Sequence, residues 1–162
     1  MVAPNLPANS PIVVAVDFSD DAAQALVWAA RQAQLEGAPL TILHVVHDPA
    51  ASPGFYLKPD EKWLRPMTGV ANEMMDDFLA RLKPENPELV ALESVETRFV
   101  TGLPASRIIE VAEEIGARLV VVGSRGRTAL QAILLGSVAE RVAQICRTPV
   151  VVVKAPVPEP TE

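Results

Sequence analysis

The chain has 162 residues, of which 49% are hydrophobic and 21% charged, and its formal net charge is −6 at pH 7. This length and composition predict one globular domain with its own core and exclude a chain that is disordered throughout. The acidic balance argues against nucleic acid and anionic membranes as partners, and no run of about 18 apolar residues is present to span a bilayer. We therefore expect neither nucleic-acid binding nor membrane insertion.

The single cysteine, Cys146, excludes an intrachain disulfide and predicts a reducing cytoplasmic location. Its apolar helical surroundings favour a small buried residue over a reactive thiol. Residues 1–10 lack the basic and apolar segments of a signal peptide and are expected to form a disordered lead. We expect a single domain over residues 11–154 and a disordered proline-containing tail over residues 155–162.

Strand-like apolar runs alternate with segments of helical periodicity along the chain. Near-continuous runs of Val, Ile and Leu in such strands predict a parallel sheet covered by helices on both faces. Ligands of such sheets bind beyond the carboxyl ends of the strands, where the strand order reverses. In chain order the predicted elements are a strand at Ile12–Val16, a helix at Asp20–Gly37, a strand at Leu40–Val46, a helix at Met67–Leu82, a strand at Val95–Val100, a helix at Leu103–Gly116, a strand at Leu119–Val122, a helix at Ser137–Cys146 and a strand at Val150–Val153.

The segment His47–Pro66 interrupts this alternation with four prolines and three aromatic residues. A structureless segment of this length in a compact domain is usually functional or mobile. One interpretation is a strap whose aromatic residues cover the edge of the sheet. The other is a lid over a ligand or a surface that docks a partner.

An acidic turn follows the first strand, and neither GxGxxG nor GxxxxGK[ST] occurs in the chain. Ser19 is a candidate N-cap, and the acids beside it suit the positive end of a helix dipole but would repel a phosphate. Two interpretations of Asp17 remain. It accepts hydrogen bonds from a neutral part of a ligand, such as a ribose hydroxyl or a base amino group, or it is an ordinary turn aspartate.

Glycines after the fourth strand form a second candidate site. Gly123 ends the strand, Gly126 follows, and Gly136 and Ser137 precede a helical pattern, as in a cradle of backbone N–H groups for an anion. Arg125 and Arg127 supply positive charge between them. Taken singly, the glycines are turn residues, and Ser137 is an N-cap that Glu140 would complete as a capping box.

The spacing Gly123-x2-Gly126-x9-Gly136-Ser137 resembles the ATP-binding signature of the universal stress protein family. The segments Ile12–Ser19, Leu43–Val46, Gly102–Ile109 and Thr148–Lys154 also resemble that family, so the likeness covers about residues 10 to 154. It implies a Rossmann-like three-layer α/β sandwich whose five-stranded parallel sheet has the order 3-2-1-4-5.

The resemblance also implies a role for individual residues in binding ATP. Asp17 would contact the adenosine, the backbone at Val45 the adenine, and the glycine loops the ribose and phosphates. Ala15 and Val122 depart from the proline and methionine of many ATP-binding members, and we expect these changes to alter packing on the ribose. The implied ATP-binding residues are Ala15, Asp17, Val45, Val122, Gly123, Ser124, Arg125, Gly126, Arg127, Gly136, Ser137 and Val138.

The last predicted strand, Val150–Val153, would lie at an edge of that sheet. Four valines on an open edge invite aggregation unless another strand covers them. Pairing with the same strand of a second copy would solve this problem and give a symmetric homodimer, which the resemblance also implies.

Little in the sequence indicates an enzyme, because the glycine loop offers no evident base for phosphoryl transfer. His44 and His47 are three residues apart in a strand, hence on opposite faces, which disfavours a shared metal. We expect a cytoplasmic homodimer that binds ATP, with Mg²⁺ held only through the phosphates, and acts as a sensor on an unidentified protein partner. The alternatives are an interaction protein that binds no ATP or prefers AMP or cyclic AMP, and a slow ATP hydrolase.

Overall fold

The computed structural model describes residues 6–47, 61–126 and 135–156. Strands and helices alternate along these ranges, as the periodicity predicted. In chain order they are β1 (Ile12–Ala15), α1 (Asp20–Glu36), β2 (Leu40–His47), α2 (Glu61–Glu85), a 3₁₀ turn (Val90–Leu92), β3 (Glu96–Gly102), α3 (Pro104–Glu114), β4 (Leu119–Gly123), α4 (Ser137–Ile145) and β5 (Val150–Val153).

The five strands form one parallel sheet in the order β3-β2-β1-β4-β5, which confirms the predicted topology. Helices cover both faces of the sheet. Side chains alternate along each strand, so each strand contributes apolar residues to both faces. Ile12 and Val14 of β1 belong to the core on the side of α1 and α2, whereas Val13 belongs to the core on the side of α3 and α4. The three-layer sandwich is therefore built from two separate apolar cores.

Helix α1 begins and ends as its sequence predicted. The Oγ of Ser19 accepts a hydrogen bond from the N–H of Ala22 at 3.1 Å, so Ser19 is the N-cap. Gly37 follows the helix with φ of 61°, a left-handed conformation that residues with a side chain rarely adopt. These caps fix the start of α1 directly beside the carboxyl end of β1.

The predicted structureless segment His47–Pro66 was wrong in extent. β2 includes His47, and α2 starts at Glu61, six residues before the predicted start at Met67. Pro66 misled the prediction, because a proline usually ends or kinks a helix rather than lying inside one. Residues 48–60 lie outside the described residues, so the strap and lid interpretations stay predictions.

The end of the predicted lead, residues 6–10, makes specific contacts with the domain. Ser10 is buried, and the guanidinium of Arg118 donates hydrogen bonds to the carbonyls of Pro7 at 3.3 Å and Ala8 at 3.2 Å. After β5, the N–H of Ala155 donates to Asp21 at 3.1 Å. Both predicted disordered termini are thus held where they join the domain, and residues 1–5 and 157–162 lie outside the described residues.

Two further expectations concern burial and membrane insertion. Cys146 is half-buried and packs against the core on the α3 and α4 side. Within the described ranges, no helix has the length and apolar character needed to cross a membrane.

Candidate functional site

A cavity of about 560 Å³ opens at the carboxyl ends of β1, β2 and β4, beside the N-terminus of α4. Except for Arg127, which lies outside the described residues, every residue that the resemblance implied lines this cavity. Those residues are Ala15, Asp17, Val45, Val122, Gly123, Ser124, Arg125, Gly126, Gly136, Ser137 and Val138. The fold therefore brings the acidic turn and the glycine loop to one place, as the topology predicted.

Several lining residues were not predicted. The signal for Leu43 was present, because it lies two positions before Val45 in β2 and therefore on the same face. Others depend on tertiary packing that the sequence did not disclose. The additional residues are Val16, Ala22, Leu43, Pro104, Ile108, Leu135, Ala139 and Glu140. All but Glu140 are apolar, so the pocket has an apolar wall of the kind that small-molecule sites use.

Asp17 is a turn aspartate that also lines the cavity. Its Oδ1 accepts hydrogen bonds from the N–H of Ser19 at 3.1 Å and from the Oγ of Ser19 at 2.5 Å, as in an Asx turn. Its Oδ2 faces Gly126, where a Cβ would lie only 3.2 Å away, and accepts no hydrogen bond from the described residues. One oxygen therefore shapes the turn, and the other is available to a donor in the pocket.

Phe18 adopts φ of 65°, which is uncommon for a bulky residue. This conformation turns the chain sharply after Asp17. On the face away from the pocket, the Phe18 ring packs against His44 with centroids 4.6 Å apart and against Phe78 at 5.6 Å. The aromatic contacts hold the turn that presents Asp17 to the pocket.

His44 lies on that same far face. Its Nδ1 is 2.6 Å from the carbonyl oxygen of Val16, and its ring also packs edge-on against Phe99. His44 is thus the satisfied core histidine that its strand position favoured. No group of three metal-ligating side chains occurs among residues 6–47, 61–126 and 135–156.

Another part of the backbone lies close to both Gly123 and Gly136. A Cβ on Gly123 would lie 2.9 Å from the nitrogen of Ala22, so the end of β4 touches the first turn of α1. A Cβ on Gly136 would lie 3.1 Å from the carbonyl oxygen of Ser124, to which the Gly136 N–H donates at 2.5 Å. The two ends of the glycine loop are therefore joined at the pocket.

Helix α4 directs its N-terminus at the cavity, with no side-chain cap from the described residues. Gly136 is the N-cap and makes no side-chain capping bond, so the interpretation of Ser137 as an N-cap in a capping box is wrong. Ser137 is the first helical residue instead. The N–H groups of the first turn have no partner within the helix, and they carry the positive end of the helix dipole. Ser137, Val138 and Ala139, which bring these groups, all line the cavity.

The side chain of Arg125 is paired with Asp21, a residue that sequence analysis did not single out. Arg125 Nε lies 3.2 Å from Oδ2 of Asp21, and Arg125 Nη2 lies 3.3 Å from Oδ1. Asp21 is 4% exposed and also accepts a hydrogen bond from the Oγ of Ser124 at 2.8 Å. The positive charge of Arg125, which the sequence predicted to face phosphates, is thus neutralised by Asp21 behind the loop.

These contacts displace the pKa values of both partners. Burial alone would raise the pKa of Asp21, but hydrogen bonds from Arg125, Ser124 and the N–H of Ala155 outweigh it and lower that pKa below its usual range. The hydrogen bond to Asp21 and the attraction of its charge raise the pKa of Arg125. Asp21 is therefore a carboxylate, and Arg125 a cation, at neutral pH.

Comparison with known proteins gives a consistent family assignment. The model of the universal stress protein family matches residues 9–154. Universal stress protein YxiE of Bacillus subtilis is 35% identical over 150 residues, which cover 88% of this chain and 97% of that protein. Universal stress protein MJ0531 of Methanocaldococcus jannaschii is 34% identical over 145 residues, which cover 90% of this chain and 82% of that protein.

Comparison with solved structures gives the same family assignment. The structure of MJ0577 has a TM-score of 0.66 at 26% identity and covers 93% of this chain and 99% of its own. A universal stress protein in complex with cAMP has a TM-score of 0.56 at 26% identity, covering 91% and 98%. A universal stress protein from Archaeoglobus fulgidus in complex with dAMP has a TM-score of 0.58 at 27% identity, covering 91% and 100%. With the matching glycine loop and strand order, these similarities show that the chain belongs to the universal stress protein family.

Proposed function

We propose that the chain binds an adenine nucleotide, with ATP as its ligand, and acts in the cytoplasm as a stress-response regulator rather than an enzyme. The observation that carries this proposal is the composition of the cavity. A carboxylate oxygen and a helix N-terminus, neither with a side-chain partner among the described residues, meet an apolar wall in one space of about 560 Å³. This volume is within the usual range for small-molecule sites.

Each part of the cavity suits one part of the nucleotide. Ala15, Val45 and Val122 offer apolar surface to the adenosine. Oδ2 of Asp17 accepts hydrogen bonds from ribose hydroxyls, for which a carboxylate is a strong acceptor. The first-turn N–H groups of α4 and the hydroxyl of Ser137 receive phosphate oxygens, because a helix N-terminus favours an anion.

Mg²⁺ enters with the nucleotide in this proposal. The charged residues in the described pocket lining are Asp17, Glu140 and Arg125, and Arg125 is neutralised by Asp21. A triphosphate therefore meets a lining that is negative on balance, and Mg²⁺ bound to its oxygens offsets the repulsion. No cluster of metal ligands in the described chain holds the ion by itself.

AMP or cyclic AMP is the second candidate ligand. Two structural neighbours are complexes with cAMP and dAMP, which carry fewer phosphates than ATP. The neutralised Arg125 also favours a ligand of lower charge. Nucleotide preference is therefore the first quantity to measure.

Regulation would proceed through the loop that the phosphates contact. Phosphates bound at Gly126 and Ser137 would hold these two ends of the glycine loop and thereby change a surface that an unidentified protein partner recognises. Homodimers would form through the open edge of β5. Hydrolysis would be slow and incidental in this proposal.

The test begins with freshly purified protein, which is denatured so that any released nucleotide can be identified by chromatography and mass spectrometry. Calorimetry then gives the Kd values of ATP–Mg²⁺, ATP, AMP and cAMP. In Gly126→Val we expect ATP binding to be lost, because the new side chain pushes against Asp17. The matched control is Gly69→Val in α2, where an added Cβ meets nothing within 4 Å.

The outcomes separate the alternatives. Retained ATP in the wild type and its loss in Gly126→Val support the proposal. A preference for AMP or cAMP supports the second candidate, and metal-dependent turnover that Asp17→Ala abolishes supports a hydrolase. A wild type that retains no nucleotide and binds none would overturn the proposed function.

A further inference from the structure

Asp21 joins three separate segments of the chain behind the nucleotide pocket. It lies in the first turn of α1, and its carboxylate accepts hydrogen bonds from Ser124 and Arg125 of the glycine loop and from Ala155 after β5. The neighbouring acid, Asp20, is exposed, whereas Asp21 is 4% exposed. Asp21 is thus a fixed internal acceptor and not a solvated helix-start acid.

Both carboxylate oxygens of Asp21 accept hydrogen bonds from these donors. Its Oδ2 receives the Oγ of Ser124 at 2.8 Å, the backbone N–H of Arg125 at 3.0 Å and the Nε of Arg125 at 3.2 Å. Its Oδ1 receives the Nη2 of Arg125 at 3.3 Å and the N–H of Ala155 at 3.1 Å. The two contacts to the guanidinium form a bidentate pair, the geometry in which arginine binds a carboxylate best.

The pairing decides what charge a nucleotide meets. Arg125 lines the pocket, but its guanidinium points its donors at Asp21, and the other charged residues of the described lining are the carboxylates of Asp17 and Glu140. A first phosphate is bound by the N–H groups at the start of α4. Additional phosphates add negative charge without meeting a free cation in that lining.

We propose that Asp21 is a specificity-determining residue that holds Arg125 away from the phosphates and so weakens the preference of the pocket for triphosphate over monophosphate. The inference rests on the proposed adenine nucleotide site. Asp21 acts through Arg125 and does not touch the ligand. When Asp21 loses its charge, the guanidinium is released into a pocket where a triphosphate is its strongest partner.

The experiment measures the ratio of the Kd of AMP to the Kd of ATP by calorimetry, in EDTA so that no divalent cation masks protein charge. The proteins are the wild type, Asp21→Asn, Arg125→Met and the double variant. Asp20→Asn is the matched control for loss of a nearby negative charge, and Arg141→Met, an exposed residue of α4, is the control for loss of a positive one. Circular dichroism establishes that each variant is folded.

In Asp21→Asn we expect the ratio to rise at least about tenfold, the effect of one new charge-assisted hydrogen bond to a phosphate. The double variant should return to within about threefold of the wild type, because the released guanidinium is gone. Both controls should also stay within about threefold of the wild type, because neither change releases Arg125. Arg125→Met alone should not raise the ratio, because it removes the guanidinium and leaves the negative charge of Asp21 uncompensated.

Two results would overturn the inference while leaving the proposed function intact. One is an unchanged ratio in folded Asp21→Asn. The other is a double variant whose ratio stays as high as that of Asp21→Asn, which would show that the gain does not come from the guanidinium of Arg125. If Asp21→Asn does not fold, Asp21→Ser replaces it in both comparisons. A wild type that binds neither AMP nor ATP refutes the proposed function and this inference with it.

Discussion

At the scale of single residues, the atoms that lie against Gly123 disfavour a side chain there, whereas its backbone conformation does not. A Cβ there would be 2.9 Å from both the nitrogen of Ala22 and the carbonyl carbon of Asp21, and neither is a flexible side-chain end. We expect Gly123→Ala to lower the free energy of unfolding by about 1–3 kcal/mol, the usual cost of overpacking. Urea denaturation measures the change.

The matched control for this prediction is Gly69→Ala. Gly69 lies within α2, where an added Cβ meets nothing within 4 Å. Alanine favours a helix over glycine by about 1 kcal/mol, so the control should be neutral or stabilising. If both variants lose the same stability, packing at Gly123 is not the cause.

Asp21 should also make stability depend on pH. Its pKa in the folded protein lies below the usual value of 3.8, so its stabilising effect is present above that value and is lost as the pH falls through the folded pKa. The stability advantage of the wild type over Asp21→Asn should therefore be constant from pH 7 to about pH 4 and decrease as the pH falls below that value. Urea denaturation across this range measures the difference, and an advantage that stays constant to pH 2 would contradict it.

The sequence predicted some of these residues better than others. The glycines and Asp17 were predicted because their spacing resembles a family signature. Asp20 and Asp21 are chemically identical neighbours, and both suit the first turn of a helix. Only the position of β4 and the chain after β5 makes one a solvated acid and the other a buried acceptor, and no local pattern carries that information.

At the scale of elements, β5 has one paired and one open edge among the described residues. The carbonyls of Pro149 and Val153 accept hydrogen bonds from Val120 and Ser124 of the β4 side. Because backbone groups alternate in direction along a strand, the N–H of Val152 points to the open edge. This is the surface through which we propose that two copies pair.

A proline at position 152 tests the proposed pairing. Val152→Pro removes an outward N–H and keeps the inward hydrogen bonds to β4, and proline is tolerated at such edge positions. We expect the variant to remain folded and to be monomeric by light scattering, whereas the wild type and Val152→Thr, which keeps the N–H, are dimeric. A dimeric Val152→Pro would place the interface elsewhere.

Element boundaries were predicted unevenly, for physical reasons. The strands were clear, because buried parallel strands are almost continuously apolar. The start of α2 was obscured by prolines whose usual effect is to end a helix. The uncapped start of α4 was misjudged because Ser137 and Glu140 match a capping box in sequence, while the observed cap is one residue earlier, at Gly136.

At the scale of the whole molecule, the two ends of the sheet contribute to different properties. The carboxyl ends of the strands form the pocket, and the amino ends hold the N-terminal segment. The strand order followed from the family resemblance, and the rule for parallel sheets then placed the pocket at the carboxyl ends. The contacts at the amino ends had no sequence signal. There Arg118, which precedes β4, bonds the carbonyls of Pro7 and Ala8 and pairs with Glu36 at 2.8 Å.

This division predicts that stability and nucleotide binding can be changed separately. Arg118→Met should lower the free energy of unfolding by about 1 kcal/mol, the scale of a few partly exposed hydrogen bonds. Its Kd for ATP should stay within about twofold of the wild type, because distant sites act independently. Arg31→Met is the control, since Arg31 pairs with Glu88 at 3.7 Å with both side chains more than half exposed. A larger Kd for ATP in Arg118→Met would mean that the amino ends of the strands help to shape the pocket at the opposite edge.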